Sequence, residues 1–364
     1  MLLNGLFVKR AQFPTSIRST GRAWRPAATS LVVCVLNAAA GAQTLPSLAI
    51  DPEGVTVSGV SSGGFMAVQF AVAHSAMVRG VGVIAAGPYA CAQIHPLWVS
   101  DVCLHGRPDP RESVAAAAAA ASLGSIDTPS QLDRIRAWVL ADGTDPVVGP
   151  DVVEAARDFL GAYAGDKVKF MVLSGAGHSM PTVDHGGRCS QTGGTYLNAC
   201  GFDAASQMLD YLYPQAAEEP DAGGELRSFE QAEFIPGWRR LLGNDSLAKL
   251  GYLYVPRPCR RGGCRLHVAL HGCRQGATGS NQEFVRYAGY NPWATRHPAV
   301  ILYPQIATTR FTWYTPWLEL NPDGCWDWWG YSGADYAVRS GVQIAAIAAM
   351  IERLQQPVGE WGGE

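Results

Sequence analysis

Short apolar runs set the rhythm of the chain, each ending in a turn rich in glycine, serine, aspartate or histidine. They fall at residues 54–58, 135–140, 168–173, 251–256, 266–270 and 299–304. Runs of five or six residues bounded by such turns predict strands buried in a sheet. Longer stretches of helical character lie between them. Residues 65–72 are largely apolar, residues 115–121 are an alanine run, and residues 338–354 form a late mixed apolar stretch. Strands alternating with helices predict an α/β fold, a mostly parallel sheet flanked by helices. At 364 residues a single domain is the default.

The first run leads directly into Gly59-Val60-Ser61-Ser62-Gly63. Glycines on both sides of a serine allow a tight strand-to-helix turn that lifts the hydroxyl out of the backbone, the nucleophile elbow of α/β-hydrolases. A nucleophilic serine needs a base and an orienting carboxylate, which that fold supplies downstream in the order acid, then histidine, each on a loop after a strand. The run at 135–140 opens into Ala141-Asp142-Gly143-Thr144-Asp145-Pro146, and the run at 168–173 ends in Ser174-Gly175-Ala176-Gly177-His178. Asp145 is the better acid and His178 the base. Asp142 and Asp145 also have a plain reading as turn formers beside glycine and proline. The remaining histidines read as surface or packed residues, with His271 set apart because it precedes Gly272 where the hydrolase fold carries its oxyanion loop.

That loop is out of its usual place. It ordinarily precedes the elbow, yet here residues 266–273 follow Ser61 by about two hundred residues. The run at 251–256 reads as the first strand of the sheet, and the late helix at 338–354 would ordinarily lead straight into a strand like the one at Val55. A circular permutation accounts for this order: the strands normally found first come last, and the chain is cut just before the nucleophile strand. Adjacent termini make such a cut tolerable. The linker-like stretch at 213–224 then marks where the ancestral ends were joined.

Four segments carry a family resemblance: Ser58-Gly59-Val60-Ser61-Ser62-Gly63-Gly64-Phe65-Met66-Ala67-Val68-Gln69, Ala86-Gly87-Pro88-Tyr89-Ala90-Cys91, Leu270-His271-Gly272-Cys273-Arg274-Gln275 and Asn321-Pro322-Asp323-Gly324-Cys325-Trp326-Asp327-Trp328-Trp329-Gly330-Tyr331. In this order they resemble the extracellular poly(3-hydroxybutyrate) depolymerases of the circularly permuted, single-domain type, over nearly all of the chain after about residue 43. The resemblance implies a triad of Ser61, Asp145 and His178. It also implies an oxyanion hole from the backbone N–H of Cys273, which the hydrolase fold would complete with that of Ser62. Trp326, Trp328 and Trp329, with Trp313, Tyr314, Trp317 and Tyr331 nearby, offer a rigid apolar surface suited to a polymer. The resemblance makes Trp328 or Trp329 a subsite wall, against the ordinary expectation that a large aromatic goes into the core.

Residues 1–42 contain five basic and no acidic side chains, an apolar stretch from 27 to 40 and the small-residue site Ala40-Gly41-Ala42. They resemble a signal peptide with an overlong front end, or one whose initiation lies downstream of Met1, with an apolar stretch too short to span a bilayer comfortably. Val33 is too bulky for a lipoprotein box at Cys34, so no membrane anchor is expected. Removing these residues changes the net charge from −3 to −8, which offers no attraction to nucleic acid. Eight cysteines remain, an even number in an exported chain, which argues for disulfides. Cys91 and Cys103, Cys189 and Cys200, and Cys259 and Cys264 each bracket a loop, leaving Cys273 for Cys325. Zinc is the rival reading, and neither a C-x-x-C pair nor a His-rich spacing supports it.

The sequence therefore predicts a secreted, extracellular or periplasmic serine esterase acting on poly(3-hydroxybutyrate) or its oligomers, with residues 43–364 as the catalytic domain. No cofactor or metal is expected, and a monomer is the expected state. An esterase of polysaccharide acyl groups or small esters shares the elbow but does not need the tryptophan ridge. A non-catalytic polymer-binding protein on a decayed hydrolase is the reading from another class, and the intact triad speaks against it.

Overall fold

A computed structural model describes residues 44–214, 221–237, 245–276, 282–309 and 321–359. Residues 1–42, Trp313, Tyr314, Trp317 and half of the linker stretch, residues 215–220, lie outside them. The first strand, β1 (Val55–Val60), runs into helix α1 (Ser62–Ala73), and β2 (Gly80–Ile84) follows. Three helices come next: α2 (Cys91–Ile94), α3 (Val99–Cys103) and α4 (Pro110–Ser122). After them come β3 (Arg136–Asp142), α5 (Pro150–Ala164) and β4 (Val168–Leu173). A small sheet of β5 (Met180–Thr182), β6 (Gly187–Arg188) and β7 (Leu197–Ala199) precedes α6 (Ala204–Leu212). The second half supplies β8 (Gly224–Glu230), β9 (Leu250–Pro256), β10 (Arg265–Leu270), α7 (Glu283–Tyr287), α8 (Tyr290–Ala294), β11 (Ala299–Tyr303) and α9 (Val342–Gln355).

Eight strands form one sheet in the order β4-β3-β2-β1-β10-β11-β9-β8. Neighbours from β4 to β11 pair in parallel, while β9 runs antiparallel to both β11 and β8. The central strands β1, β2, β3, β10 and β11 are buried on both faces, so alternate residues feed two cores. In β3, Ala137, Val139 and Ala141 face the core that holds α1, α5 and α9, whereas Trp138 and Leu140 face α6, α7 and α8. Helices on both faces of a mostly parallel sheet, within one compact unit from Ala42 to Glu364, give the expected α/β class.

The topology is that of a permuted α/β-hydrolase. β1 lies mid-sheet, and its neighbour β10 comes from the far end of the sequence. The segment before β1 meets the end of the chain: the Leu48 and Ile50 N–H groups donate to Leu354 O, and the Ala49 N–H to Gln356 O at 2.8 Å. Several elements lie outside the apolar runs, β2 and α5 among them, and β8, rather than residues 251–256, is the first strand of the second half. β8 is an edge strand carrying Glu225, Arg227 and Glu230 on a half-exposed ribbon, so it yields no apolar run. The late helix begins at Val342, after Gly341, instead of at residue 338.

Eight cysteines form Cys91–Cys103, Cys189–Cys200, Cys259–Cys264 and Cys273–Cys325. The first three close loops of 5 to 12 residues. The fourth joins segments 52 residues apart, fastening the turn after β10 to the tryptophan loop.

Candidate active site

Ser61 sits between β1 and α1 at φ 57° and ψ −125°. A serine in this sparsely populated region costs about 1–3 kcal/mol and persists only where its surroundings enforce it. Here they do. The Ser61 N–H donates to Ile84 O, its carbonyl accepts from the Phe65 N–H, and β1 and α1 are both fully buried. The flanking glycines are required by close approach: a Cβ on Gly59 would lie 2.2 Å from Gly63 C, and one on Gly63 would lie 2.3 Å from Leu270 O.

The acid and base loops leave the ends of β3 and β4, which are neighbours in the sheet. Backbone bonds from Gly143 to Leu173 O and from Thr144 to Ala176 O hold the two loops together. His178 Nε2 is 2.8 Å from Ser61 Oγ, and His178 Nδ1 is 2.6 Å from Asp145 Oδ2. The other Asp145 oxygen accepts the N–H groups of Val147 and Val148 at 2.7 and 3.0 Å. An ionised carboxylate in this position fixes the tautomer in which Nδ1 carries hydrogen and Nε2 faces the serine.

Asp142 takes a different place. Its buried carboxyl accepts the Ser179 N–H at 3.1 Å, one residue beyond His178, and burial holds it well above the usual carboxylate range. It thus braces the histidine loop. His271, set apart by its sequence position, is fully buried: its Nε2 accepts the Ile306 N–H and its ring meets Trp326. The backbone after it reaches the site, because Gly272 and Cys273 line the cavity beside Ser61 and His178. Ser62 occupies the first position of α1, where a helical N–H has no intrahelical acceptor. The arrangement thus sets a serine hydroxyl beside a histidine at the end of the sheet, with the Ser62 and Cys273 backbone next to them.

The tryptophans separate. Trp326 is fully buried, so its proposed substrate contact is corrected: it fills the core, and only its backbone approaches the site, donating to Ser62 Oγ at 3.3 Å. Trp328 and Trp329 line an apolar cleft with Phe65, Val99, Leu104 and Val148. Trp328 stacks on Phe65 at 4.5 Å and meets Trp329 edge-on at 5.6 Å. Asp327 shapes this loop, its carboxylate accepting the N–H groups of Trp329, Gly330, Tyr331 and Ser332 and the Ser332 hydroxyl.

A second cavity of about 270 Å³ opens on the His178 side, lined by Tyr196, Arg274, Gln275 and Asp323. Sequence reading passed over these residues and Asp327, since a polar side chain in a loop carries no pattern until the fold shows what it touches. For Arg274, Gln275, Asp323 and Asp327 the resembling segments were a signal, and Gln275 shows what the fold adds. Its side chain accepts the Gly272 N–H and donates to the Thr195 and Tyr196 carbonyls, joining the oxyanion loop to the loop before β7. Among the described residues, no cluster of three or more His, Cys, Asp or Glu side chains is placed to hold a metal, and no helix is long and apolar enough to cross a membrane.

A serine, histidine and aspartate in hydrogen-bonded sequence at the elbow of this sheet define a serine hydrolase of the circularly permuted α/β-hydrolase class. No family model matches the chain. It is 36% identical over 343 residues to the poly(3-hydroxybutyrate) depolymerase of Delftia acidovorans, spanning 92% of this chain and 66% of that protein, slightly under two thirds. It is 33% identical over 335 residues to the polyhydroxybutyrate depolymerase of Talaromyces funiculosus, spanning 89% of this chain and 96% of that one. Among solved structures, the PHB depolymerase of Penicillium funiculosum aligns with a TM-score of 0.77 at 31% identity, over 87% of this chain and all of that one. A PHB depolymerase with a serine-to-alanine substitution, complexed with an R3HB trimer, aligns equally well at 32% identity and the same coverage. The chain belongs to the poly(3-hydroxybutyrate) depolymerase family of ester hydrolases.

Proposed function

We propose that this protein hydrolyses the ester bonds of poly(3-hydroxybutyrate) or its oligomers through an acyl-enzyme on Ser61, after export and loss of residues 1–42. The observation that carries the reading is the Ser61–His178–Asp145 chain lying beside an indole-walled apolar cleft. His178 Nε2 takes the Ser61 proton as Oγ attacks the ester carbonyl carbon. The Cys273 and Ser62 N–H groups receive the oxyanion. Collapse expels the alcohol oxygen, which His178 protonates, and a water deprotonated by His178 then frees the acyl group. Asp145 stabilises the imidazolium in both halves. The methyl-bearing polyester suits the cleft because each buried CH₂ contributes about 0.8 kcal/mol. The trimer bound in a structural relative, together with four disulfides suited to an oxidising compartment, supports an exported enzyme of this substrate class.

The test is a parallel assay on polyhydroxybutyrate film, a hydroxybutyrate trimer and p-nitrophenyl butyrate. Ser61→Ala should lower turnover on all three by about a thousandfold or more while the fold is retained, since triad members act as a unit. Trp329→Ala should lose about tenfold more on film than on the small ester, from about 1.5 kcal/mol of aromatic burial. A Ser61→Ala variant that keeps its activity sinks the mechanism. Equal losses from Trp329→Ala on all three substrates return the indole to a packing role and leave the polyester assignment on family membership alone.

A further inference from the structure

The cleft is asymmetric about Ser61. Its apolar half, walled by Phe65, Leu104, Trp328 and Trp329, does not include His178, whereas the half lined by His178 also carries Tyr196, Arg274 and Asp323. Both halves share Ser61, Val147 and Cys273. Serine-hydrolase chemistry orients a substrate across this asymmetry. The leaving oxygen must lie within reach of His178 Nε2 to be protonated, so the alcohol fragment occupies the polar half and the acyl fragment the apolar half.

In a 3-hydroxyalkanoate polyester the two fragments differ in charge. Each ester carbonyl belongs to the unit nearer the hydroxyl end, and each ester oxygen to the unit nearer the carboxyl end. The alcohol fragment that leaves therefore always carries the chain's carboxylate. When cleavage falls near that end, the fragment is short and its carboxylate lies inside the polar half, whose 270 Å³ suits a small fragment.

Among the described residues lining this half, Arg274 carries the guanidinium. Its backbone is held at φ 65° by an N–H bond to Asp323 O, and its Nε and Nη2 reach the Asp323 carboxylate at 2.8 and 3.3 Å. Nη1 lies 3.5 Å from the Tyr196 hydroxyl. Asp323 therefore occupies one edge of the guanidinium, and the edge formed by Nη1 and Nη2 keeps the geometry for a second carboxylate.

Resting on the polyester reading above, we propose that Arg274 is a specificity residue that binds the terminal carboxylate of the leaving fragment, favouring cleavage near the carboxyl end of short chains, and that Asp323 tempers its charge. The test measures kcat/KM for the (R)-3-hydroxybutyrate trimer as free acid and as methyl ester, which differ only in that carboxylate. Arg274→Gln should lower the acid-to-ester ratio about tenfold, or about 1.4 kcal/mol. Arg274→Lys should fall between, because it keeps the charge without the planar fork. Asp323→Asn should raise the ratio, and 0.5 M salt should shrink both effects.

A purely structural role for Arg274 would make the glutamine variant lower both substrates alike. That outcome overturns this proposal and leaves the polyester reading standing. An unchanged or lowered ratio in Asp323→Asn overturns it as well. A parent enzyme that cleaves p-nitrophenyl butyrate but neither trimer overturns the polyester reading and this proposal with it.

Discussion

Burial decides the protonation of individual side chains around β1. His267, fully buried, holds Thr56 Oγ1 through Nδ1 at 2.7 Å and Ser58 Oγ through Nε2 at 2.8 Å, so it clamps the nucleophile strand to the oxyanion strand. Desolvation lowers it to about 3 and His271 to about 4. Both are neutral in the fold, while their unfolded counterparts take up protons below about pH 6.5. Their contribution to stability is therefore complete above that pH and declines as pH falls towards 4 and 3, by at most about 1.4 kcal/mol per pH unit for each group. Asp142, whose carboxyl burial raises well above the usual carboxylate range, works in the opposite sense, contributing stability that is lost as pH rises from about 4. A comparison of slopes isolates one histidine. Urea unfolding between pH 7 and 4.5 should show a shallower loss of stability on acidification for His267→Gln than for the parent. Identical slopes would place His267 in contact with solvent.

Among the elements, the site is a meeting of four loops, and the sheet spaces only two of them. The acid and histidine loops leave adjacent strands, so their placement follows from β3 pairing with β4. The oxyanion turn after β10 and the tryptophan loop have no shared sheet edge to align them. Cys273–Cys325 supplies the link, aided by the Arg274–Asp323 ion pair. A bridge closing a loop of this size is worth about 2–4 kcal/mol. Replacing both cysteines with serine should cost stability of that order. It should also lower ester turnover at temperatures where circular dichroism still reports a folded protein, because one bridged residue, Cys273, lines the cavity beside Ser61 and is the oxyanion donor under the proposed mechanism. Full activity in a folded double variant would detach the bridge from catalysis.

At the scale of the whole molecule, the cut before β1 is harmless because the two ends of the described chain meet. Residues 48–50 bond to the end of α9, and the Gly359 N–H reaches Ser47 O. A permutant in which Gly359 is joined to Ser47 through a short glycine-serine linker, with new ends opened between Pro214 and Asp221, restores the ordinary hydrolase order. It should fold with the same near-UV spectrum and retain turnover within about threefold, as no sheet pairing or site contact is cut. Failure to fold would mean that the 214–221 connection is structural rather than a join.

Sequence and tertiary structure divided the protein along physical lines. The strand runs, the elbow and the acid and histidine turns were legible because each is local: apolar strands facing helices on both sides lack polar positions, and a tight turn demands glycine. The permutation was legible from order alone. The polar edge strand β8 left no such mark, because half of it faces water. Which side chains meet was decided only in three dimensions. Trp326 and Trp328 stand two residues apart in one motif, yet the first is buried in the core and the second lines the cleft. Asp142 and Asp145 are equal as turn residues, and the strand end buries one beneath Ser179 while the loop carries the other to His178. Arg274 lines the cavity beside His178 only because the fold brings the turn after β10 next to the histidine loop.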